Sequence, residues 1–160
     1  MKKEIVISYE EFDRIEDLNQ EDRDLLAIAR QSMYDAYAPY SGFMVGSAVL
    51  LNDGEIQTGN NQENMAYSPT ICGERVAMFA AAAVSKSPIK SVAISCCSQK
   101  YKVDKPSGPC GVCRQVMSEY EMRYGQKIRI ILQGEIGKIL IFYGVENLLP
   151  FSFDGLKETF

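Results

Sequence analysis

The chain reads as an α/β protein built on a mixed five-stranded sheet covered by helices. Helical periodicity alternates along it with short β-branched runs, and an Asn-Asp-Gly turn at residues 52–54 joins two of those runs. The last two apolar runs stand only about six residues apart, which suits a hairpin, because a parallel pair needs a crossover of about a dozen or more.

The elements follow in order. Ser8-Tyr-Glu-Glu11 has the form of a capping box, and Phe12, Ile15 and Leu18 follow at helical spacing, so a first short helix is expected there. A second helix is expected over residues 21–36, burying Leu25, Leu26, Ala29 and Met33, with Pro39 as its stop. Residues 45–51 and 55–58 form the strands of the Asn-Asp-Gly hairpin. A third helix spans 72–85 ahead of Pro88, and 92–97 is a buried strand. A fourth helix opens near Cys110 behind Pro109 and ends at Gly125, and 128–132 with 139–142 make the closing hairpin.

Composition narrows the function. At 160 residues with 46% apolar and 24% charged content, the chain is one ordinary domain whose core needs no disulfides. A net charge of −4 argues against tracking a nucleic-acid duplex. The longest apolar run, residues 76–84, is far short of the roughly 20 that cross a bilayer, and the N-terminal stretch has no secretory pattern. A cytoplasmic protein with no membrane partner is expected. Histidine is absent, which removes Ser-His and Cys-His nucleophile systems and every histidine-ligated metal. Acid-base work falls to carboxylates, lysine, tyrosine or a metal-bound water.

Five cysteines without a signal sequence make a poor disulfide framework. Cys110 and Cys113 form a CxxC at a helix start, with both sulfurs on one face. Cys72 also stands at a helix start, where the partial positive charge favours thiolates. Three thiolates leave the fourth position of a zinc ion to water, the mark of a catalytic site. Arg75 is placed to hydrogen-bond a thiolate and offset the excess negative charge. Glu74 lies two residues from Cys72, about 200° around an ideal helix. The two can converge only if both project beyond the helix end, where the carboxylate could relay protons. Cys96 and Cys97 sit in an apolar strand and read as core. One of them as a fourth ligand would instead make the zinc site structural.

These residues together resemble the cytidine deaminase family in its small homotetrameric, three-cysteine zinc form. The resemblance covers about residues 36–153 and rests on five segments in order. They are Tyr37-Ala-Pro-Tyr-Ser-Gly-Phe43 with Val45-Gly46, Asn61-Gln-Glu-Asn64, Cys72-Gly-Glu-Arg75, Pro109-Cys-Gly-Val-Cys-Arg-Gln115 and Leu148-Leu-Pro-Phe-Ser-Phe153. It implies a three-layer α/β/α fold over a single domain, 1–160, with about the first 20 residues an N-terminal extension packed on it or partly flexible. It implies one zinc per subunit on Cys72, Cys110 and Cys113, with Glu74 as the proton shuttle. Asn61 and Glu63 would bind the ribose 3′-hydroxyl, Phe43 would pack on the nucleoside, and Gly73 would lend backbone groups to the base. Tyr67 and Phe153 would approach a neighbouring subunit's pocket, so that the tetramer shares its sites. Gly73 stands where the family has Ala, and Met65 stands where it has a small residue, which could narrow the pocket wall.

The expected reaction is hydrolytic deamination of cytidine and 2′-deoxycytidine to the uridine products and ammonia, in pyrimidine salvage. The closing hairpin resembles that of free-nucleoside deaminases rather than polynucleotide ones, and no basic or Gly-rich phosphate cradle is evident. The alternatives are a blasticidin-S-type deaminase, disfavoured by Arg75, a modified-nucleoside deaminase, and a zinc module that binds partners without chemistry.

Overall fold

The computed structural model describes residues 1–154. In chain order it contains β1 (Glu10–Phe12), α1 (Gln20–Met33), β2 (Phe43–Leu51), β3 (Ile56–Asn60), α2 (Gly73–Val84), β4 (Ile89–Ser98), α3 (Gly111–Tyr124), β5 (Arg129–Gln133) and β6 (Ile139–Tyr143). Short 3-10 turns occupy Ile15–Asp17 and Val145–Asn147.

The strands form one six-stranded sheet in the order β1-β6-β5-β4-β2-β3. Only β4 and β5 run parallel, joined by the α3 crossover, and β5 returns directly into antiparallel β6. The sheet is mixed and closes on a hairpin, as the sequence predicts, but it has six strands rather than five.

The additional strand replaces the expected first helix. Residues Glu10, Glu11 and Phe12 pair with Ile141, Leu140 and Ile139 along the rim of β6. The capping-box pattern concerns local hydrogen bonds alone. The open β6 edge offers the same backbone groups a partner, and flanking ion pairs of Glu10 with Arg129 and Glu11 with Lys138 add to it. Phe12, Ile15 and Leu18 still turn inward, against the α1 side of the sheet. Helix α1 also stops at Met33 rather than residue 36. Its last turn tightens through Asp35 N–H to Ser32 O and Ala36 N–H to Met33 O, which frees Tyr37 to bridge Gln62.

Period-two alternation separates the two layers of core. Val49, Leu51, Val92, Ile94, Ile130 and Leu132 face α2 and α3, where Ala77, Met78, Ala81 and Met117 meet them. Ala48, Leu50, Ala93 and Ile131 face Leu25, Leu26 and Ala29 of α1. Three layers result, α1 on one face and α2 with α3 on the other. Each fully buried Leu or Ile contributes about 1.5–3 kcal/mol relative to exposure.

Two details bring α2 and the sheet into register near the site. A Cβ on Gly59 of β3 would lie 2.4 Å from Ala77 N and 2.6 Å from Gly73 O, so only glycine admits the helix this closely. On the opposite layer, buried Asp22 receives Arg129 Nε and Nη2 at 2.9–3.2 Å, locking α1 to β5. Among the described residues no helix is long and apolar enough to cross a membrane.

Candidate metal centre and its cavity

Two helix N-termini converge at one end of the sheet. Cys72 is the N-cap of α2, Cys110 the N-cap of α3, and Cys113 lies one turn into α3. Neither N-cap cysteine spends its side chain on a cap hydrogen bond. Cys72 Sγ lies 3.6 Å from Cys110 Sγ, and Cys110 Sγ lies 3.5 Å from Cys113 Sγ. All three sulfurs fall within 4.8 Å of one another. Tetrahedral zinc with sulfurs at about 2.3 Å requires them about 3.8 Å apart, so the trio fits that ion. Cys96 and Cys97 stay outside the cluster in β4, where burial pushes both thiols up.

The electrostatics match the donor set. Sharing of hydrogen bonds with Cys113 draws Cys72 down to about 5 against its burial, helped by Arg75 and Cys110. The same sharing and burial push the Cys113 thiol up. Arg75 Nη2 stands 3.7 Å from Cys72 Sγ, where it offsets anionic sulfur.

Glu74, in the first turn of α2, is 4% exposed. Its Oε2 is buried and has no hydrogen-bond partner among the described residues. Burial raises its carboxyl to about 7, against its own backbone N–H, with the Cys72 charge adding to the rise. A carboxyl held this way, in the same cavity as Cys72 and Cys110, is an acceptor and donor of protons waiting for a partner.

That cavity has a volume of about 320 Å³. Phe43 and Val45 of β2 form one wall, Asn61 and Glu63 another, and Ile94 with Cys96 the side contributed by β4. Asn61 latches the walls together: its Oδ1 accepts from Val45 N at 2.7 Å and its Nδ2 donates to Phe43 O at 2.9 Å. Glu63 Oε2 accepts from Tyr40 N at 2.8 Å and Ser41 N at 3.3 Å. The Ser41 hydroxyl, foremost, and these N–H groups hold its carboxyl below the usual range against burial. Among the described residues the lining includes no lysine or arginine.

Cys72, Cys110, Glu74, Phe43, Asn61 and Glu63 thus line one cavity, with Cys113 and Arg75 behind it. Tyr67 lines an adjoining hollow of about 410 Å³ with Tyr40, sharing Ser41, Glu63 and Thr70 with the first. It is exposed and has a left-handed backbone, φ 57°. Phe153 projects into solvent, its backbone exchanging two hydrogen bonds with the Gln115 amide. Gly73 does not line the cavity: a Cβ there would press on Val45 O at 3.0 Å and Asn60 Cα at 3.1 Å. Met65 is exposed and narrows no wall of the cavity.

Ile94, Cys96, Ser107 and Gly108 are lining residues that sequence reading missed. The i, i+2 spacing of Ile94 and Cys96 on a buried strand is the signal that places them on one face. A separate hollow of about 370 Å³ near the end of α3 holds Glu121, Lys127 and Glu146, whose charges are engaged with one another.

Comparison with known proteins places this geometry. Residues 19–125 match the family described as the cytidine and deoxycytidylate deaminase zinc-binding region. Cytidine deaminase of Halalkalibacterium halodurans is 37% identical over 129 residues, covering 81% of this chain and 91% of the relative. Cytidine deaminase of Sporosarcina psychrophila is 42% identical over 96 residues, 60% of this chain and 67% of the relative. Among solved structures, cytidine deaminase from Burkholderia pseudomallei superposes with a TM-score of 0.72 at 33% identity, covering 85% of this chain and all of that one. The Mycobacterium tuberculosis enzyme superposes at 0.64 with 31% identity, covering 84% and 98%.

Proposed function

This chain belongs to the cytidine and deoxycytidylate deaminase family, and from that premise we propose that it is a zinc-dependent cytidine deaminase. The reaction is hydrolytic replacement of the 4-amino group of cytidine by oxygen, giving uridine and ammonia; 2′-deoxycytidine is included in the proposal. The observation that carries it is one cavity holding two sulfurs of a zinc-sized trio beside a buried carboxylate oxygen with no partner.

Zinc held by Cys72, Cys110 and Cys113 supplies Lewis-acid activation of water when bound. Glu74 would take a proton from the attacking water and pass it to N3 of the base, then take the proton of the new C4 hydroxyl and give it to the departing amine. Its burial keeps bulk water from competing for that proton. Arg75 moderates the charge of the sulfurs. Asn61 has one amide hydrogen and one lone pair beyond its β2 latch, and Glu63 a second oxygen, for the sugar hydroxyls. Phe43 packs on the nucleoside.

The lack of basic lining residues among those described supports a nucleoside over a nucleotide or nucleic acid. Three sulfurs rather than four leave room for water on the ion, which supports catalysis over a purely structural zinc module. The exposed side chains of Tyr67 and Phe153 support the reading that they complete a neighbouring subunit's site in a homotetramer. Five free cysteines support a reducing, cytoplasmic setting. We read residues 1–160 as one domain, its N-terminal 20 residues docked through β1.

The test is loss of cytidine absorbance with zinc measured on the same sample. One zinc per chain with turnover is expected. Zinc without turnover on cytidine refutes the assignment, and faster turnover of blasticidin S than of cytidine reassigns the substrate.

A further inference from the structure

Cys110 is the exposed ligand of the trio, and it ends the twelve-residue connection 99–110 between β4 and α3. Pro106 and Pro109 lie in that connection and have no N–H with which to tie it down. Arg114 donates to the carbonyls on both sides of the ligand. Its backbone N–H donates to Cys110 O at 3.0 Å. Its Nε donates to Pro109 O at 2.7 Å, the carbonyl of the peptide leading into Cys110. Its Nη1 reaches Leu148 O, also at 2.7 Å. Leu148 and Leu149 pack against the core shared by α2 and α3, so the far end of the guanidinium is anchored in the protein interior. Pro109 is itself buried, and a Cβ on Gly108 would lie only 3.3 Å from Arg114 Nη2.

We propose that Arg114 is a positioning residue for the metal centre, a two-ended strap that fixes the Pro109–Cys110 peptide against Leu148 and so holds the Cys110 sulfur beside its partners. A planar fork with separated donors can span two carbonyls; a lysine ammonium is a single point and cannot. Gln115 makes a parallel but different attachment, its amide exchanging two hydrogen bonds with the backbone of Phe153. The same C-terminal segment is thus hooked twice by α3, and only the Arg114 hook reaches a metal ligand.

The experiment is zinc release from the loaded protein into excess chromogenic chelator, for the wild type, R114Q, R114K and Q115A. Circular dichroism and melting temperature are measured alongside. Loss of a group that orients a ligand commonly lowers metal affinity by about 10–100-fold. R114Q is therefore expected to release zinc about tenfold faster or more, R114K to be accelerated as well, and Q115A to match the wild type. Release from a folded R114Q at the wild-type rate overturns the strap. R114K decides by the same criterion if R114Q does not fold. Equal acceleration in Q115A also overturns it, because the effect would then belong to general docking of the C-terminal segment. A wild-type chain that takes up no zinc refutes the metal centre itself, a separate failure.

Discussion

Glu74→Gln isolates the proton relay from everything else in the site. The amide has nearly the volume of the carboxyl, so the cavity and the three sulfurs are left as they are. The carboxylate is 4% exposed, and among the described residues no side chain donates a hydrogen bond to its Oε2. The other carboxylate on the cavity, Glu63, already receives the Tyr40 and Ser41 N–H groups. A positioned acid-base group contributes about 10²–10⁴ in rate, and Glu74 serves successive transfers with no understudy, so the upper end applies. A drop of about 10⁴ corresponds to roughly 5 kcal/mol of barrier. The assay is kcat on cytidine, with zinc content and a melting curve on the same preparation. Zinc should stay at one per chain and KM should move little. Melting should shift upward, because a buried ionisable group without a hydrogen-bond partner has been removed. A variant that keeps more than about 1% of wild-type kcat refutes the relay.

Three further outcomes follow from the hydrogen-bond pattern. Asn61→Ala leaves Val45 N and Phe43 O without their partner, so urea titration should show a loss of about 1–3 kcal/mol together with a raised KM; unchanged stability contradicts the latch. Asp22→Ala strands Arg129 beside α1. Breaking a buried pair costs about 3–5 kcal/mol, and Glu10 still faces this partly exposed arginine, so about 2–3 kcal/mol is expected with kcat unchanged. Phe153→Ala should lower activity per chain, and wild-type specific activity should fall on dilution in parallel with the sedimentation coefficient; a fully active monomer rules out shared sites.

The metal centre was legible because its chemistry lies in short-range spacing. Cys72 with Glu74, and Pro109 with Cys110 and Cys113, each need only the geometry of one helix start. Misreadings came where distant chain decides the outcome. Ser8 to Glu11 has every local mark of a helix start, yet β6, some 130 residues later, draws Glu10–Phe12 into the sheet. The resemblance assigns Asn61 to the sugar, and the structure places it on the cavity wall. That its amide also ties down Phe43 and Val45 depends on β2 and β3 lying side by side, which no local pattern encodes. Met65 illustrates the opposite error: a bulky residue beside a motif need not face the pocket, and here it faces outward.

The two cysteine-bearing helix starts lie 38 residues apart, with the whole of β4 between them. Neither half can chelate an ion with three sulfurs until the β2–β3–α2 unit and the β4–α3 unit have docked. Tight zinc uptake during refolding would therefore serve as a stopwatch for that docking, timing a long-range event with a colorimetric dye.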